Sequence, residues 1–135
     1  CRNVSKVYLV GDVDITWLID ALVKEVADLD LSKYQNNIDY YRSVYLLNKV
    51  KFLETKDFLF KEDEGLNSPI SVTFFEKVDS ILKVEEFIDQ NKESIQCVVG
   101  AKINNGLAFG EAQNPKIWDF ADNIDTMKFL ISLEN

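Results

Sequence analysis

The hydrophobic and polar positions along this chain predict a sheet with helices on both faces. Residues 6–10 and 70–78 are rich in β-branched and aromatic side chains, which suit a packed, pleated surface. The almost continuous apolar run 95–101 is typical of a central strand covered on both faces. A helical pattern over 80–91 lies between the last two runs. Residues 70–101 are therefore predicted to form a strand, a helix and a strand with a right-handed parallel crossover.

Two amphipathic helices are predicted between the first strand and residue 50. The first begins at Asp14 or Thr16 and runs to about Leu29, and the second runs from Ser32 to Val50. The residues expected to face the core are Trp17, Leu18, Ala21, Leu22, Val26 and Leu29 in the first helix, and Tyr34, Ile38, Tyr41, Val44, Tyr45 and Leu47 in the second. The tyrosine stripe of the second helix is interpreted as packing, in preference to a ligand wall.

Shorter elements are predicted in the rest of the chain. Residues 52–61 form one or two short strands, and the charged run 62–69 is a surface loop rather than a metal site. The pair Asn105-Gly106 predicts a type I′ hairpin with a return strand over 107–113. A short helix starts at Pro115, and a last helix covers 122–133 with Asp122 or Asn123 as its cap. The acidic cluster Asp119, Asp122 and Asp125 is interpreted as helix-end charge.

Composition limits the classes of function. The 135 residues carry a net charge of −8, and the scattered basic residues argue against nucleic acid as a partner. No apolar run approaches the ~20 residues that span a bilayer, so we expect no membrane span and a cytoplasmic protein. The chain holds no histidine, which excludes a Cys-His pair and most catalytic zinc sites within it, and we expect no metal.

Two cysteines are the candidate reactive groups. Cys1 precedes the first strand among polar neighbours, and the cation of Arg2 favours its thiolate form, although a buried, inert thiol is an equal alternative from these residues alone. Cys97 lies inside the apolar run 95–101 and is expected to be inert core. Two cysteines are too few for a disulfide framework, so both are expected to be free thiols.

Both ends of the chain resemble one family. The opening Cys1-Arg2-Asn3-Val4-Ser5-Lys6 is similar to the nucleophile segment of acyl-CoA reductases of the LuxC type, which belong to the aldehyde dehydrogenase superfamily. The closing segments 109–115 and 121–130 are similar to the end of the same reductases. The order of elements between them resembles the thiol-bearing catalytic half of the superfamily.

The resemblance implies a fold, a reaction and partners. Residues 1–135 would be one domain, a fragment of a two-domain enzyme whose nucleotide-binding domain is missing. Its fold would be a three-layer α/β sandwich like the aldehyde dehydrogenase catalytic domain, mostly parallel with an antiparallel hairpin. Cys1 would take an acyl group from an acyl-CoA or acyl-protein thioester, and NADPH, bound mainly by the missing domain, would reduce it to a fatty aldehyde. The full-length protein would form a homo-oligomer, and the isolated fragment would be inactive.

The match to the superfamily has a gap, and other functions stay open. The motif Glu-x-Phe-Gly-Pro, whose Glu holds the cofactor ribose in ordinary aldehyde dehydrogenases, falls near residues 66–69, where only Pro69 agrees. No cofactor ligand is therefore assigned in this chain. One alternative is a superfamily member with a different acyl substrate. The other is a noncatalytic interaction module that pairs through a sheet edge near Asn105.

Overall fold

A four-stranded sheet organises residues 4–80 of the computed structural model, which describes residues 4–25, 32–121 and 124–133. The strands are β1 (Lys6–Val10), β2 (Leu53–Glu54), β3 (Leu59–Glu62) and β4 (Val72–Val78), and the helices are α1 (Ile15–Glu25), α2 (Ser32–Leu47), α3 (Ile81–Gln90) and α4 (Thr126–Ser132). The strand order is β1-β4-β3-β2. Strand β4 runs parallel to β1 and β3, and β2 is antiparallel to β3. The protein is therefore α/β, with a mostly parallel sheet and one antiparallel pair.

The sheet buries both of its faces. Successive side chains of a strand point to opposite faces. In β3 and β4, two successive residues are both apolar, so each strand contributes an apolar side chain to each face. Leu59 and Phe74 face α2, while Phe60 and Phe75 face α1. Each helix therefore covers one face, as the sequence predicts. The antiparallel pair is the β2–β3 hairpin, which closes at Thr55 with its N–H donating to the Phe58 carbonyl over 2.9 Å.

Helix α1 begins where the sequence predicts, but one of the side chains predicted to face the sheet is exposed instead. The Thr16 N–H donates to Asp14 Oδ1 over 3.0 Å, so Asp14 provides the cap. Leu18 and Leu22 pack toward the sheet. Trp17 is 70% exposed, and its predicted core position is wrong because Ile19 takes the inward place beside Leu18. The predicted inward residues Val26 and Leu29 lie outside the described residues.

The tyrosine stripe of α2 packs on the sheet as predicted. Tyr34, Tyr41 and Tyr45 join Ile38 against the α2 face, so their interpretation as packing residues is confirmed. The predicted inward position of Leu47 is wrong, since its side chain is exposed.

Helix α2 ends at Leu47, before the predicted Val50. Lys49 adopts a positive φ of 54°, and the Val50 N–H donates to the Tyr45 carbonyl over 2.9 Å. A left-handed residue followed by such a bond is the usual way a helix stops.

Residues 81–133 form a second unit, in which two predicted elements are wrong. The run 95–101 is not a strand, and the return strand 107–113 is not formed. Leu107 instead folds back on the run, with its N–H donating to the Val98 carbonyl and its carbonyl accepting from the Gly100 N–H. A strand needs a partner along its length, and this local bridge occupies the backbone groups at its centre. The strand, helix and strand crossover predicted for 70–101 is therefore wrong as well.

The Asn-Gly turn differs from the predicted type I′ geometry. Asn105 has the positive φ of 58° that such a turn requires, whereas Gly106 does not. A side chain at Gly106 would meet Ile103 Cγ2 at 2.0 Å. Glycine is needed at position 106 because the Ile103 side chain packs directly against it. No hairpin follows the turn within the described residues.

The end of the chain holds one of the two predicted helices. Pro115 starts a turn rather than a helix, in which Asp119 Oδ2 accepts from the Lys116 N–H over 2.9 Å. Helix α4 forms with Asp125 as its cap, whose side chain accepts from the Lys128 N–H. The predicted caps Asp122 and Asn123 lie outside the described residues.

Candidate functional site

The segment that follows Cys1 enters the sheet at its amino end. Val4 is exposed, and the Ser5 carbonyl accepts from the Phe74 N–H over 2.9 Å, so β1 is joined to β4 from its first residues. Cys1, the predicted nucleophile, lies outside the described residues, as do Arg2 and Asn3. The described residue nearest to Cys1 along the chain is therefore Val4.

The loop that contains Pro69 leads into β4 at the same end of the sheet. It turns tightly, with the Val72 N–H donating to the Pro69 carbonyl over 3.1 Å. Ser71 is buried and has a positive φ of 68°, which is uncommon for a residue other than glycine. Its carbonyl accepts from the Leu59 N–H over 3.0 Å, and its hydroxyl donates to the Ile70 carbonyl. Residue 71 is thus held by β3 in a conformation that the loop alone would not favour.

These two segments come together because β1 and β4 are parallel neighbours. Lys6 lies beside Phe74 in the register, so the residues before each strand share one end of the sheet. We call the group formed by Val4, Ser5 and residues 68–71 the amino-end site. It unites the segment that follows Cys1 with the segment that contains Pro69, although more than 60 residues of chain separate them.

Ser68 contributes a polar group to the amino-end site. Its Oγ is buried and has no hydrogen-bond partner among the described residues. Leaving a hydroxyl unpaired costs about 1–3 kcal/mol, so such a group calls for a partner. Ser68 is therefore the side chain of this site with unused hydrogen-bonding capacity toward a ligand or a water molecule.

An ion pair between a buried lysine and a part-exposed glutamate lies on the α2 face of the same strands. The Lys6 side chain is 3% exposed, and its Nζ donates to Glu76 Oε2 and to the Glu64 carbonyl, each over 2.7 Å. The ammonium also lies 4.9 Å from the centre of the Tyr8 ring. Burial, followed by the negative charge of Glu76, raises the pKa of Tyr8 to about 12. The cluster joins β1, β4 and the 63–71 loop.

The acidic run before Pro69 is used to shape that loop. Asp63 pairs with Lys61 and accepts from the Gly65 N–H over 2.8 Å. The hydrogen bond from Lys61, and then that from the Gly65 N–H, hold the pKa of Asp63 below its usual value. The described residues contain no group of three or more potential metal-ligating side chains. In the second acidic cluster, Asp125 caps helix α4, in agreement with its interpretation as helix-end charge. Asp119 instead closes a turn, because the helix predicted at Pro115 is not formed, and Asp122 lies outside the described residues.

Cys97 is a free, half-buried thiol in the second unit. Its predicted place inside a covered central strand is wrong, because the run around it is not a strand.

The sequence reasoning missed the ion pair that joins β1 to β4 beside the amino-end site. Lys6 and Glu76 are 70 positions apart, and only the sheet register makes them neighbours. A signal was present, since a lysine begins one predicted strand and a glutamate lies within the other. The positive φ of Ser71 and the buried hydroxyl of Ser68 left no comparable pattern.

Two further findings bear on the class of protein. Within the described ranges, no helix is both long enough and apolar enough to cross a lipid bilayer. Comparisons of the chain with protein-family models, with curated proteins and with solved structures found no significant match.

Proposed function

We propose that this chain is the thiol-bearing part of an NADPH-dependent acyl-CoA reductase of the LuxC type, in the aldehyde dehydrogenase superfamily. The proposal begins from the resemblance of the segment Cys1–Lys6 and of the chain's closing segments. The observation that carries it is the amino-end site. In the superfamily the reactive cysteine and the Pro-containing motif serve one site, and here the segments matched to them precede neighbouring parallel strands.

Cys1 has the chemistry for the first half of the reaction. Its thiolate attacks the carbonyl carbon of the acyl thioester, a new carbon–sulfur bond forms, and coenzyme A leaves as a thiolate that takes up a proton. A thiolate is both a strong nucleophile and a good leaving group, so this step does not require a histidine. Negative charge develops on the carbonyl oxygen, where each backbone N–H that stabilises it contributes about 10²–10³ in rate.

The resemblance assigns no cofactor ligand to this chain. Residues 65–68 hold no carboxylate where the superfamily motif has its ribose-binding Glu, and the acidic groups at 63 and 64 belong to a segment anchored by Lys61 and Lys6. We therefore assign no NADPH ligand in this chain. In the proposed enzyme NADPH supplies the hydride that converts the acyl group to an aldehyde, and Cys1 is released as a thiolate.

Two alternative functions are a superfamily enzyme with another acyl substrate and a noncatalytic interaction module. A superfamily member with another acyl substrate would use the same Cys1 chemistry, so substrate profiling decides between them. The noncatalytic interaction module was based on a sheet edge at the Asn105 hairpin. That hairpin is not formed, which removes the specific reason for this alternative.

The test is covalent labelling of the full-length protein that contains this sequence. Radioactive acyl-CoA is added without NADPH, and the hydroxylamine-sensitive label on the protein is counted. We expect Cys1→Ser to abolish the labelling and Cys97→Ser, the matched control, to retain it. Equal labelling of the two variants would refute the assignment of Cys1. Labelling that depends on Cys1 without aldehyde formation after NADPH is added would refute the reductase.

A further inference from the structure

The turn in the second unit contains a chemically labile pair of residues. Asn105 is the asparagine of this sequence that is followed by glycine. The side-chain amide of an asparagine can be attacked by the backbone nitrogen of the next residue, and a Cβ on that residue hinders the approach. Glycine has no Cβ, so Asn105 faces the least hindered attacking nitrogen.

The packing of the turn keeps in place the residue that makes this attack easy. A Cβ on Gly106 would lie 2.0 Å from Ile103 Cγ2, so a larger residue does not fit there. Asn105 is exposed to water. The Gly106 N–H donates to the Ile103 carbonyl over 3.2 Å, at the long end of the range for such bonds. The attacking nitrogen is therefore held by a weak hydrogen bond, which local opening of an exposed turn breaks at small cost.

The reaction needs only water and hydroxide. Hydroxide removes the proton from the Gly106 nitrogen, which bonds to Asn105 Cγ. The bond from Cγ to Nδ2 breaks, and ammonia leaves after taking a proton from water, which restores the hydroxide. Water then opens the resulting five-membered imide at either carbonyl. Opening at Cγ gives aspartate, and opening at the backbone carbonyl gives isoaspartate, whose main chain is one carbon longer.

The added carbon of isoaspartate would lie between two anchored points. Before it, the Asn104 N–H donates to Glu85 Oε1 of α3 over 3.1 Å. After it, the Leu107 N–H donates to the Val98 carbonyl over 2.8 Å, and the Leu107 carbonyl accepts from the Gly100 N–H over 3.1 Å. We call these last two bonds the Leu107 bridge. Hydrogen bonds weaken steeply when their geometry changes, so a longer chain between the anchors destabilises the bridge.

We propose that Asn105 is a site of spontaneous covalent modification, at which conversion to isoaspartate releases the Leu107 bridge. The modification requires neither Cys1 nor the proposed reductase activity. Two exposed asparagines provide internal comparisons. Asn67 is followed by Ser68, whose Cβ hinders the attack, and Asn114 is followed by Pro115, whose nitrogen carries no proton.

The first test measures the conversion itself. The full-length protein that contains this sequence is incubated at body temperature in neutral and in mildly alkaline buffer. Its peptides are analysed by mass spectrometry with electron-transfer fragmentation, which separates isoaspartate from aspartate. Asn105 is expected to react about ten times faster than Asn67, with isoaspartate among its products, and faster in the alkaline buffer. Equal rates at Asn105 and Asn67, or the absence of isoaspartate at position 105, would overturn the proposal.

The second test measures the release of the Leu107 bridge. Amide hydrogen exchange of the peptide that contains Leu107 is compared between isoaspartate-containing protein and Asn105→Asp, which has the new charge without the longer main chain. The isoaspartate form is expected to exchange about ten times faster at Leu107. Asn105→Gln, incubated for the same time, controls for other changes because its longer side chain would have to close a larger ring. Equal exchange in the isoaspartate form and Asn105→Asp would overturn the proposed release.

Discussion

The two units of this chain differ in how they use their apolar residues. Nine of the ten buried hydrophobic side chains among the described residues belong to the unit 4–80, and Val84 is the one in 81–133. The second unit instead exposes large apolar side chains, including Ile117 at 92% and Trp118 at 65%. Both sequences are rich in such residues. The difference shows that apolar side chains stabilise a fold only where helices and strands place them against one another.

The physical origin of the contrast is the sheet. Three parallel strands with alternating side chains place apolar groups on two faces, and one helix covers each face. Residues 91–121 have turns and one isolated bridge in place of strands, so their backbone offers no common surface. We expect the resistance to unfolding to come mainly from 4–80, which contains the amino-end site.

The largest expected effect compares one phenylalanine from each unit. Phe60 is 1% exposed and packs under α1, whereas Phe129 of α4 is 54% exposed. Phe60→Ala is expected to lower the free energy of unfolding by about 3–5 kcal/mol because it leaves a cavity. Phe129→Ala is expected to change it by less than about 0.5 kcal/mol. Urea unfolding followed by circular dichroism measures both, and similar losses would break the comparison.

An intermediate effect is expected at the Lys6–Glu76 ion pair. Glu76→Leu removes the carboxylate that is hydrogen-bonded to the buried Lys6 ammonium and is expected to cost about 2 kcal/mol. The double variant Lys6→Met/Glu76→Leu is expected to recover most of that loss because it removes the buried charge.

The control for the ion pair comes from the second unit. Glu85 accepts from the Asn104 N–H at an exposed position, and Glu85→Leu is expected to change stability by less than about 0.5 kcal/mol. Thermal unfolding of the variants compares the two sites. A double variant as unstable as Glu76→Leu would show that the charge is not the cause.

The smallest expected effect is the pH dependence at Asp63. Its pKa is lower in the folded protein than its usual value, so the stabilisation is present above about pH 4 and is lost as the pH falls through the folded pKa. Its carboxylate is part-exposed, so the contribution is below about 1 kcal/mol. Urea midpoints of Asp63→Asn and of the unchanged protein should differ near pH 7 and converge in acid. A difference that persists at the lowest pH would contradict this account.

Asp119→Asn is the matched carboxylate in the second unit. Its side chain closes an exposed turn at Lys116, so its urea midpoint should follow that of the unchanged protein at neutral pH. A shift as large as that of Asp63→Asn would show that the second unit contributes more to stability than its exposed side chains indicate.

Local pattern predicted the elements of 4–80 well. Strands β1 and β4, the Asp14 cap and the packing face of α2 follow from side-chain period and capping chemistry, which act within a few residues. The same approach failed at 95–101, whose apolar run has the composition of a covered strand. Composition does not determine which segment will hydrogen-bond to such a run. Here Leu107 forms a local bridge to it, and no strand among the described residues pairs with it.

The candidate site was predictable only in part. The thiol of Cys1 and the loop that contains Pro69 are visible in the sequence, but each belongs to a separate segment. The Lys6–Glu76 pair and the strained Ser71 depend on which strands are neighbours and in what register.

The sequence by itself determined the α/β class, the sign of the charge and the presence of a candidate nucleophile before a strand, because these depend on residue type and local period. Only the tertiary structure decided that β4 lies between β1 and β3 and therefore which loops share an end of the sheet. Strand pairing depends on contacts between residues that are distant in the chain, where the free energy of burying two faces at once outweighs local preference.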